Sequence, residues 1–233
     1  MVSVQDNLTK IRERMFAAAR RAGRDPNSVR LVAVTKRVPM ERIYEAMDAG
    51  QHLFGENYLQ EGREKIKALA GNAQWHFIGH LQTNKIKSVV EHFDVVETVD
   101  SIKLAGNLEQ SLSRQQKRLP ILVQVNIGRE NQKSGVMPEK AEAFIREIRL
   151  FPHLEVRGLM AMPPFFADPE AVRPYFRFLR VLGEELLTKG LLCHHCLELS
   201  MGISNDFEKA VEEGATLIRV GTALFGERDI TQH

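Results

Sequence analysis

The chain has 233 residues, of which 43% are hydrophobic and 27% are charged, and its net charge is +2. This composition is typical of a soluble globular protein, and the net charge is too small to indicate nucleic acid by itself. Cys193 and Cys196 are the only cysteines, which excludes a disulfide-rich scaffold. Charges interrupt the N-terminal segment, and no apolar run approaches the roughly 20 residues of a membrane span. We therefore expect a cytoplasmic protein that does not bind membranes.

Short β-branched and apolar segments alternate with helical patterns along the whole chain. The predicted strands are 31–36, 52–54, 74–78, 95–99, 121–126, 154–160, 197–200 and 216–220. The predicted helices are 3–22, 39–49, 58–69, 82–92, 101–116, 138–150, 169–189 and 204–213. Eight alternating units in roughly 200–250 residues indicate a single α/β domain over 1–233, a (β/α)8 or TIM barrel with an extra N-terminal helix. A large doubly wound open sheet is the alternative.

The N-terminal helix is basic and amphipathic. Its arginines, with one that follows it, are Arg12, Arg14, Arg20, Arg21 and Arg24. Apolar positions alternate with these charges at core spacing, so we expect a solvated helix face. No recognised nucleic-acid fold accompanies the basic residues, and we expect no nucleic-acid partner.

Lys36 ends the first predicted strand, at the end of the barrel where this fold places its active sites. Partial burial there would lower the pKa of the lysine and make its amine a nucleophile. The alternative is a lysine that leaves the core and extends to water. Asn57, His80 and Met160 follow or end other strands at the same mouth.

Two loops at this mouth combine a hydroxyl with glycine: Ser200-Met201-Gly202 after the seventh strand and Gly221-Thr222 after the eighth. Glycine lets backbone amides approach an anion, a helix N-terminus adds its dipole, and these loops form the usual phosphate site of the fold. A nucleophilic lysine beside a phosphate site suggests pyridoxal 5′-phosphate (PLP).

Arg219, next to the second of these loops, is placed to face the pyridine nitrogen of such a cofactor. A guanidinium stays cationic and disfavours a protonated pyridinium, which weakens the cofactor as an electron sink. This favours a binding protein or a racemase-like site. The alternative is a salt bridge inside the barrel wall.

The motifs around these residues cover nearly the whole chain, from about residue 3 to 229. They are Val34-Thr35-Lys36, Phe54-Gly55-Glu56-Asn57-Tyr58, the run from Trp75 to Lys85, Arg157-Gly158-Leu159-Met160-Ala161, Leu199-Ser200-Met201-Gly202, Ser204-Asn205-Asp206-Phe207 and Arg219-Val220-Gly221-Thr222. With them the chain closely resembles the pyridoxal phosphate homeostasis protein family (YggS-like), whose barrel is similar to the N-terminal domain of alanine racemase.

The resemblance implies a role for each of these positions. Lys36 would carry PLP as a Schiff base, Arg219 would face the ring nitrogen, and Asn57 and Met160 would line the ring. The phosphate would be held by Ser200, the backbone around Met201 and Gly202, and Gly221 with Thr222. The family is thought to bind PLP, to deliver it, with apo PLP-dependent enzymes as recipients, and to balance vitamin B6 and amino-acid pools, without an established catalytic activity.

A PLP-dependent enzyme acting on amino acids, such as a weak racemase, a decarboxylase or a lyase, is the alternative. A two-base racemase needs a second acid or base on the opposite face of its substrate. Alanine racemase supplies a tyrosine from a second domain across a dimer. This chain ends at His233, so we expect no such domain and a monomer. His80 and Tyr58 are the remaining candidate bases, and we expect neither to act as one.

Two further segments carry candidate functional residues. Cys193-His194-His195-Cys196 has metal-ligand spacing, but no second ligand cluster appears in the sequence and we expect no metal site. Lys133 lies in the loop after the fifth strand, on the mouth side, and our hypothesis is that it serves in capture or release of the cofactor.

Overall fold

The strands form a closed parallel barrel. A computed structural model describes residues 3–192 and 197–227, and within them each of eight strands pairs with the next and the eighth with the first. The strands are β1 Arg30–Val34, β2 Leu53–Glu56, β3 Gln74–Phe77, β4 Val95–Val99, β5 Leu119–Val125, β6 Leu154–Ala161, β7 Glu198–Ser200 and β8 Leu217–Val220. The predicted (β/α)8 barrel is confirmed, and the open sheet is excluded.

Helices follow the strands along the chain. They are α1 Val4–Arg21, α2 Met40–Asp48, α3 Leu59–Ala68, α4 Ile86–His92, α5 Ile102–Gln115, α6 Ala141–Ile148, α7 Arg173–Thr188, α8 Phe207–Glu212 and α9 Thr222–Phe225. Helix α7 begins at Arg173 rather than at the predicted 169, because the side chain of Asp168 accepts the Glu170 amide and closes a turn. Pro174 then suits the first turn of the helix.

The strands bury both of their faces, as a barrel requires. Val32, Leu122, Met160 and Leu217 form a fully buried cluster from strands β1, β5, β6 and β8. The other strand faces pack with the apolar stripes of the helices in one larger core. No helix in the described part of the chain is long and apolar enough to cross a membrane.

The solvated face that the sequence predicts for α1 is present, since Arg14, Arg20 and Arg21 are exposed, and two of these arginines also form ion pairs. Arg14 and Arg21 pair with Glu208 and Glu212 of α8 at 2.8 and 2.7 Å, and Arg24 donates to the carbonyl of Val211. Burial lowers the pKa of the Arg24 guanidinium. The basic residues therefore dock α1 onto the acidic helix α8, whose charges the periodicity of α1 alone cannot reveal.

Candidate functional site

A cavity of about 370 Å³ lies at the carboxyl ends of the strands. Of the residues predicted to bind a cofactor, Lys36, Asn57, Arg219, Gly221 and Thr222 line it. The remaining lining residues, which the sequence did not single out for this role, are Val34, Ile78, Met162, Ile203, Ser204 and Asn205. The cavity thus brings an amine, a guanidinium, an amide and hydroxyl groups together between apolar walls.

Lys36 lies in a tight turn rather than in a strand. Strand β1 ends at Val34, and the amide of Val38 donates to the carbonyl of Thr35 at 2.9 Å. Arg37, which follows Lys36 in this turn, has a positive φ of 57°. The prediction that the strand continues to Lys36 is wrong by two residues, because the chain reverses direction at this point.

A buried carboxylate, Glu56, connects the turn after β1 with the loop after β2. Its Oε1 accepts from Lys65 Nζ at 2.7 Å and from the Thr35 hydroxyl at 3.0 Å. Its Oε2 accepts the amides of Asn57 and Tyr58 at 2.8 and 3.1 Å. Glu56 is therefore neutralised by one ammonium and accepts four hydrogen bonds, which is what a fully buried charge requires.

A second buried carboxylate, Glu97, connects to Arg219 across the barrel interior. Glu97 Oε1 lies 2.6 Å from His76 Nδ1, and Oε2 accepts the Ser200 hydroxyl at 2.5 Å. The Ser200 oxygen in turn accepts from Arg219 Nη1 at 2.5 Å, and Arg219 Nη2 donates to the carbonyl of Ala161 at 2.9 Å. These contacts hold the guanidinium in one position at the cavity wall.

Electrostatics within this chain of contacts keep Glu97 ionised. Burial by itself raises the pKa of Glu97, but the hydrogen bond and charge of His76, the charge of Arg219 and the Ser200 hydroxyl lower it below its usual value. Burial lowers the pKa of Arg219, and the charges of Glu97 and Asp206 oppose that shift. A guanidinium nevertheless stays protonated in proteins.

The loop after β7 forms one side of the cavity. Asp206 fixes it, because its side chain accepts the amide of Ile203 at 2.6 Å. Burial raises the pKa of Asp206, although the Ile203 amide and the charge of Arg219 work in the opposite direction. Ser204 Oγ accepts the amide of Ala223, which joins this loop to α9.

Four residues predicted to contact the cofactor lie behind the cavity wall. Met160 belongs to the cluster inside the barrel, and Ser200 is engaged between Glu97 and Arg219. The amide of Met201 donates to the carbonyl of Leu217 within the barrel. Gly202 has a φ of +91°, and a Cβ there would lie 2.5 Å from Ala210 of α8. Glycine at this position is explained by close packing, and contacts of these four residues with a cofactor stay predictions.

A smaller cavity of about 190 Å³ adjoins the first one and shares Asn57, Ile78 and Met162 with it. His80 and Lys133 line this smaller cavity. Lys133 Nζ lies 2.6 Å from Glu130 Oε1 and donates to the carbonyl of Pro163. His80 is exposed. Burial raises the pKa of Asp100, and the charge of His80 opposes this shift.

Tyr58 lines neither of these cavities and is 49% exposed at the start of α3. The Cys193–Cys196 segment lies outside the described residues. Among the described residues, no three histidine, cysteine or acidic side chains are grouped to hold a metal.

The sequence analysis did not identify Glu97 and His76 as residues that support the site. Both are polar residues in the middle of otherwise apolar strands, Val95–Val99 and Gln74–Phe77. A charge at such a position is a buried charge that needs a partner. The sequence therefore indicates that Glu97 needs partners, but it does not identify His76 and Ser200 as those partners.

Comparison with known proteins places this site in a family. The sequence model of the alanine racemase N-terminal domain matches residues 7–229. A pyridoxal phosphate homeostasis protein of Pasteurella multocida is 40% identical over 234 residues, which cover 99% of this chain and 100% of that protein. The chain belongs to the pyridoxal phosphate homeostasis protein family.

Solved structures extend this comparison. PipY of Synechococcus elongatus, a member of this group whose structure has PLP bound, superposes with a TM-score of 0.83 at 34% identity, covering 96% of this chain and 100% of PipY. Alanine racemase from Corynebacterium glutamicum gives a TM-score of 0.67 at 15% identity, with 96% of this chain and 62% of the racemase covered. The racemase comparison shows that this chain shares the barrel fold with alanine racemase.

Proposed function

We propose that the protein binds PLP in the cavity around Lys36 and serves in PLP homeostasis by holding and delivering the cofactor without catalytic turnover. The observation that carries this proposal is the convergence of Lys36, Arg219 and the Gly221-Thr222 loop on one cavity. A cavity of about 370 Å³ also has the volume typical of small-ligand sites. The PLP-bound structure of PipY supports the same ligand.

The residues present fit PLP chemically. Lys36 supplies the amine that would hold the aldehyde carbon as a Schiff base, and bound PLP would supply the aldehyde for that linkage. Asn57 Oδ1 is buried and has no hydrogen-bond partner among the described residues, so it offers an acceptor to a donor on the ligand. Gly221 and Thr222 would hold the phosphate end, and Arg219 the ring nitrogen.

Arg219 favours a binding protein or a racemase-like site over an enzyme that uses the cofactor as a strong electron sink. Its guanidinium is held by the Ser200 oxygen and the Ala161 carbonyl, so it cannot swing away from the cavity wall without breaking buried hydrogen bonds. A fixed positive charge beside the ring nitrogen disfavours protonation of that nitrogen and weakens electron withdrawal from a bound substrate. This arrangement suits a protein that stores the cofactor.

We propose a cytoplasmic monomer whose recipients include apo PLP-dependent enzymes, with Lys133 assisting capture or release of the cofactor beside the main cavity. If the Lys133→Ala variant transfers PLP to an acceptor enzyme at the wild-type rate, the role proposed for Lys133 is refuted.

Visible absorbance tests the main proposal. Purified wild type, Lys36→Ala and the control Lys67→Ala, which removes an exposed lysine of α3, are each mixed with PLP. We expect a Schiff-base band in wild type and in the control, and its loss in Lys36→Ala. A wild-type protein that takes up no PLP would refute the proposal.

An amino-acid enzyme remains the second candidate, because exposed His80 lines the adjoining cavity. Turnover of any amino acid above the rate with free PLP, lost in His80→Phe, would favour it. Equal rates of amino-acid turnover by PLP with and without the protein would rule out the enzyme and leave PLP binding as the function.

A further inference from the structure

We propose that Lys65 is a positioning residue for Lys36: it holds the turn that carries Lys36 so that the lysine amine meets the cofactor aldehyde. The inference rests on the proposed function. It starts from the position of Lys36 in the turn between Thr35 and Val38, which α3 contacts from outside. A residue in a free turn samples many directions, and ordering it costs conformational entropy.

Lys65 uses its ammonium to fix one side of this turn. It is 7% exposed and donates to the Thr35 carbonyl at 2.7 Å, to Glu56 at 2.7 Å and to Glu61 at 3.0 Å. These three contacts match the three N–H donors of an ammonium. The carbonyl that Lys65 contacts belongs to the residue directly before Lys36.

Glu61 fixes the other side of the turn. Its Oε2 accepts the amide of Arg37 at 2.8 Å as well as the Lys65 ammonium. Arg37 has a left-handed conformation that side chains other than glycine adopt at a cost, so a specific contact at its amide is needed to keep it. The residues before and after Lys36 are thus tied to one ion-pair network, which we call the Lys65 network: Lys65, Glu56, Glu61 and Thr35.

The chemistry explains why such fixing matters. The neutral Nζ of Lys36 adds to the aldehyde carbon of PLP. A C=N bond then forms as the aldehyde oxygen leaves together with both hydrogens of the amine, as one molecule of water. This reaction requires the nitrogen at attack distance and correctly oriented toward the carbonyl carbon, and a misplacement of about 1 Å costs on the order of 100-fold in rate. Lys65 would therefore affect the rate of bond formation more than the binding of the cofactor.

The experiment separates bond formation from binding. Lys65→Met, Glu61→Ala and the control Lys67→Met are prepared with Lys36 present and, separately, together with Lys36→Ala. With Lys36 present, stopped-flow absorbance measures the rate of Schiff-base formation with PLP, and borohydride reduction followed by peptide mass analysis identifies the linked lysine. With Lys36→Ala, equilibrium dialysis measures non-covalent PLP affinity.

We expect Lys65→Met to slow bond formation at Lys36 by at least about tenfold and Lys67→Met to leave it unchanged. In the Lys36→Ala protein, Lys65→Met should change PLP affinity by less than about twofold, because its effect passes through Lys36. An unchanged rate, or an equally large loss of affinity in the Lys36→Ala protein, would overturn the proposal.

Glu61→Ala keeps the test decisive if Lys65→Met does not fold. Glu61 is 32% exposed, so its loss leaves no fully buried charge unpaired, yet it removes the contact to the Arg37 amide. A slowed rate in Glu61→Ala supports the Lys65 network as the positioning element, and an unchanged rate refutes it. Failure of the proposed function looks different, since wild type and Lys67→Met would then also take up no PLP.

Discussion

Two fully buried carboxylates, Glu56 of β2 and Glu97 of β4, support the site in different ways. Glu56 is paired with the ammonium of Lys65 and accepts two backbone amides, so it holds the main chain around Lys36 and Asn57. The hydrogen bonds of the Glu97 carboxylate to described residues go to side chains, and through the Ser200 hydroxyl it orients the guanidinium of Arg219.

The difference shows how one cavity obtains two kinds of rigidity. Under the proposed function, the lysine that holds the cofactor needs a fixed backbone, because its own side chain must remain able to move. An arginine that only presents charge needs a fixed side chain, which a chain of hydrogen bonds provides. Perturbing Glu56 should therefore affect stability and the Lys36 turn, whereas perturbing Glu97 should affect Arg219.

The largest effect is expected from Lys65→Met. The change leaves Glu56 buried without its cation, and losing one partner of a buried pair costs roughly 3–5 kcal/mol of unfolding free energy. Urea unfolding of wild type, Lys65→Met and Lys67→Met measures it, and the exposed control should stay within about 0.5 kcal/mol of wild type. Adding Glu56→Gln to Lys65→Met should restore part of the loss. A loss for Lys65→Met no larger than that of the control would contradict the role assigned to Glu56.

Ser200→Ala should have the next largest effect. It removes the hydroxyl between Glu97 and Arg219, and leaving buried polar groups without a partner costs about 1–3 kcal/mol. Chemical denaturation measures the loss. Ser204→Ala is the matched control, because its hydroxyl accepts only one amide at 3.3 Å and its removal should cost less. Equal losses in the two variants would show that the connection to Arg219 has no special weight.

Arg37 tests the strain in the turn. Arg37→Val should destabilise the protein by about 1–2 kcal/mol, since a β-branched residue is unfavourable at a φ of 57°. Arg37→Gly should change stability by less than about 0.5 kcal/mol, because relief of strain and greater freedom of the unfolded chain offset each other. Thermal unfolding of both variants decides it, and equal stability of the two would argue against a strained turn.

The pH dependence of Glu97 is expected to be the smallest effect, because burial opposes the interactions that lower its pKa. A carboxyl with a lowered pKa in the folded state stabilises the protein above its ordinary pKa of 4.5, and this contribution is lost as the pH falls through the folded value. Wild type should therefore lose more stability than Glu97→Gln on acidification below about pH 4.5. Parallel curves for the two proteins would show that Glu97 does not contribute this way.

The sequence by itself determined the architecture and several of the residues that line the candidate cavity. Strand and helix patterns can be told apart because their hydrophobic periods differ. Eight strand patterns that alternate with helix patterns predicted the closed barrel, in which both faces of each strand are buried. These residues lie at or just after the carboxyl ends of strands, so their arrival at one mouth is a consequence of parallel order: Lys36, Asn57, Arg219 and the Gly221-Thr222 loop.

Only the tertiary structure decided which side chains reach the cavity. Met160 and Ser200 lie at the same mouth in sequence terms, yet strand register directs one into the barrel interior and the other to Glu97. Ser200 and Glu97 are 103 residues apart, so no local pattern links them. Lys65 lies within the predicted helix 58–69, and only the packing of α3 against the turn after β1 brings its Nζ within 2.7 Å of the Thr35 carbonyl oxygen. Propensity and spacing act over a few residues, whereas the partners of buried charges are set by contacts between distant segments.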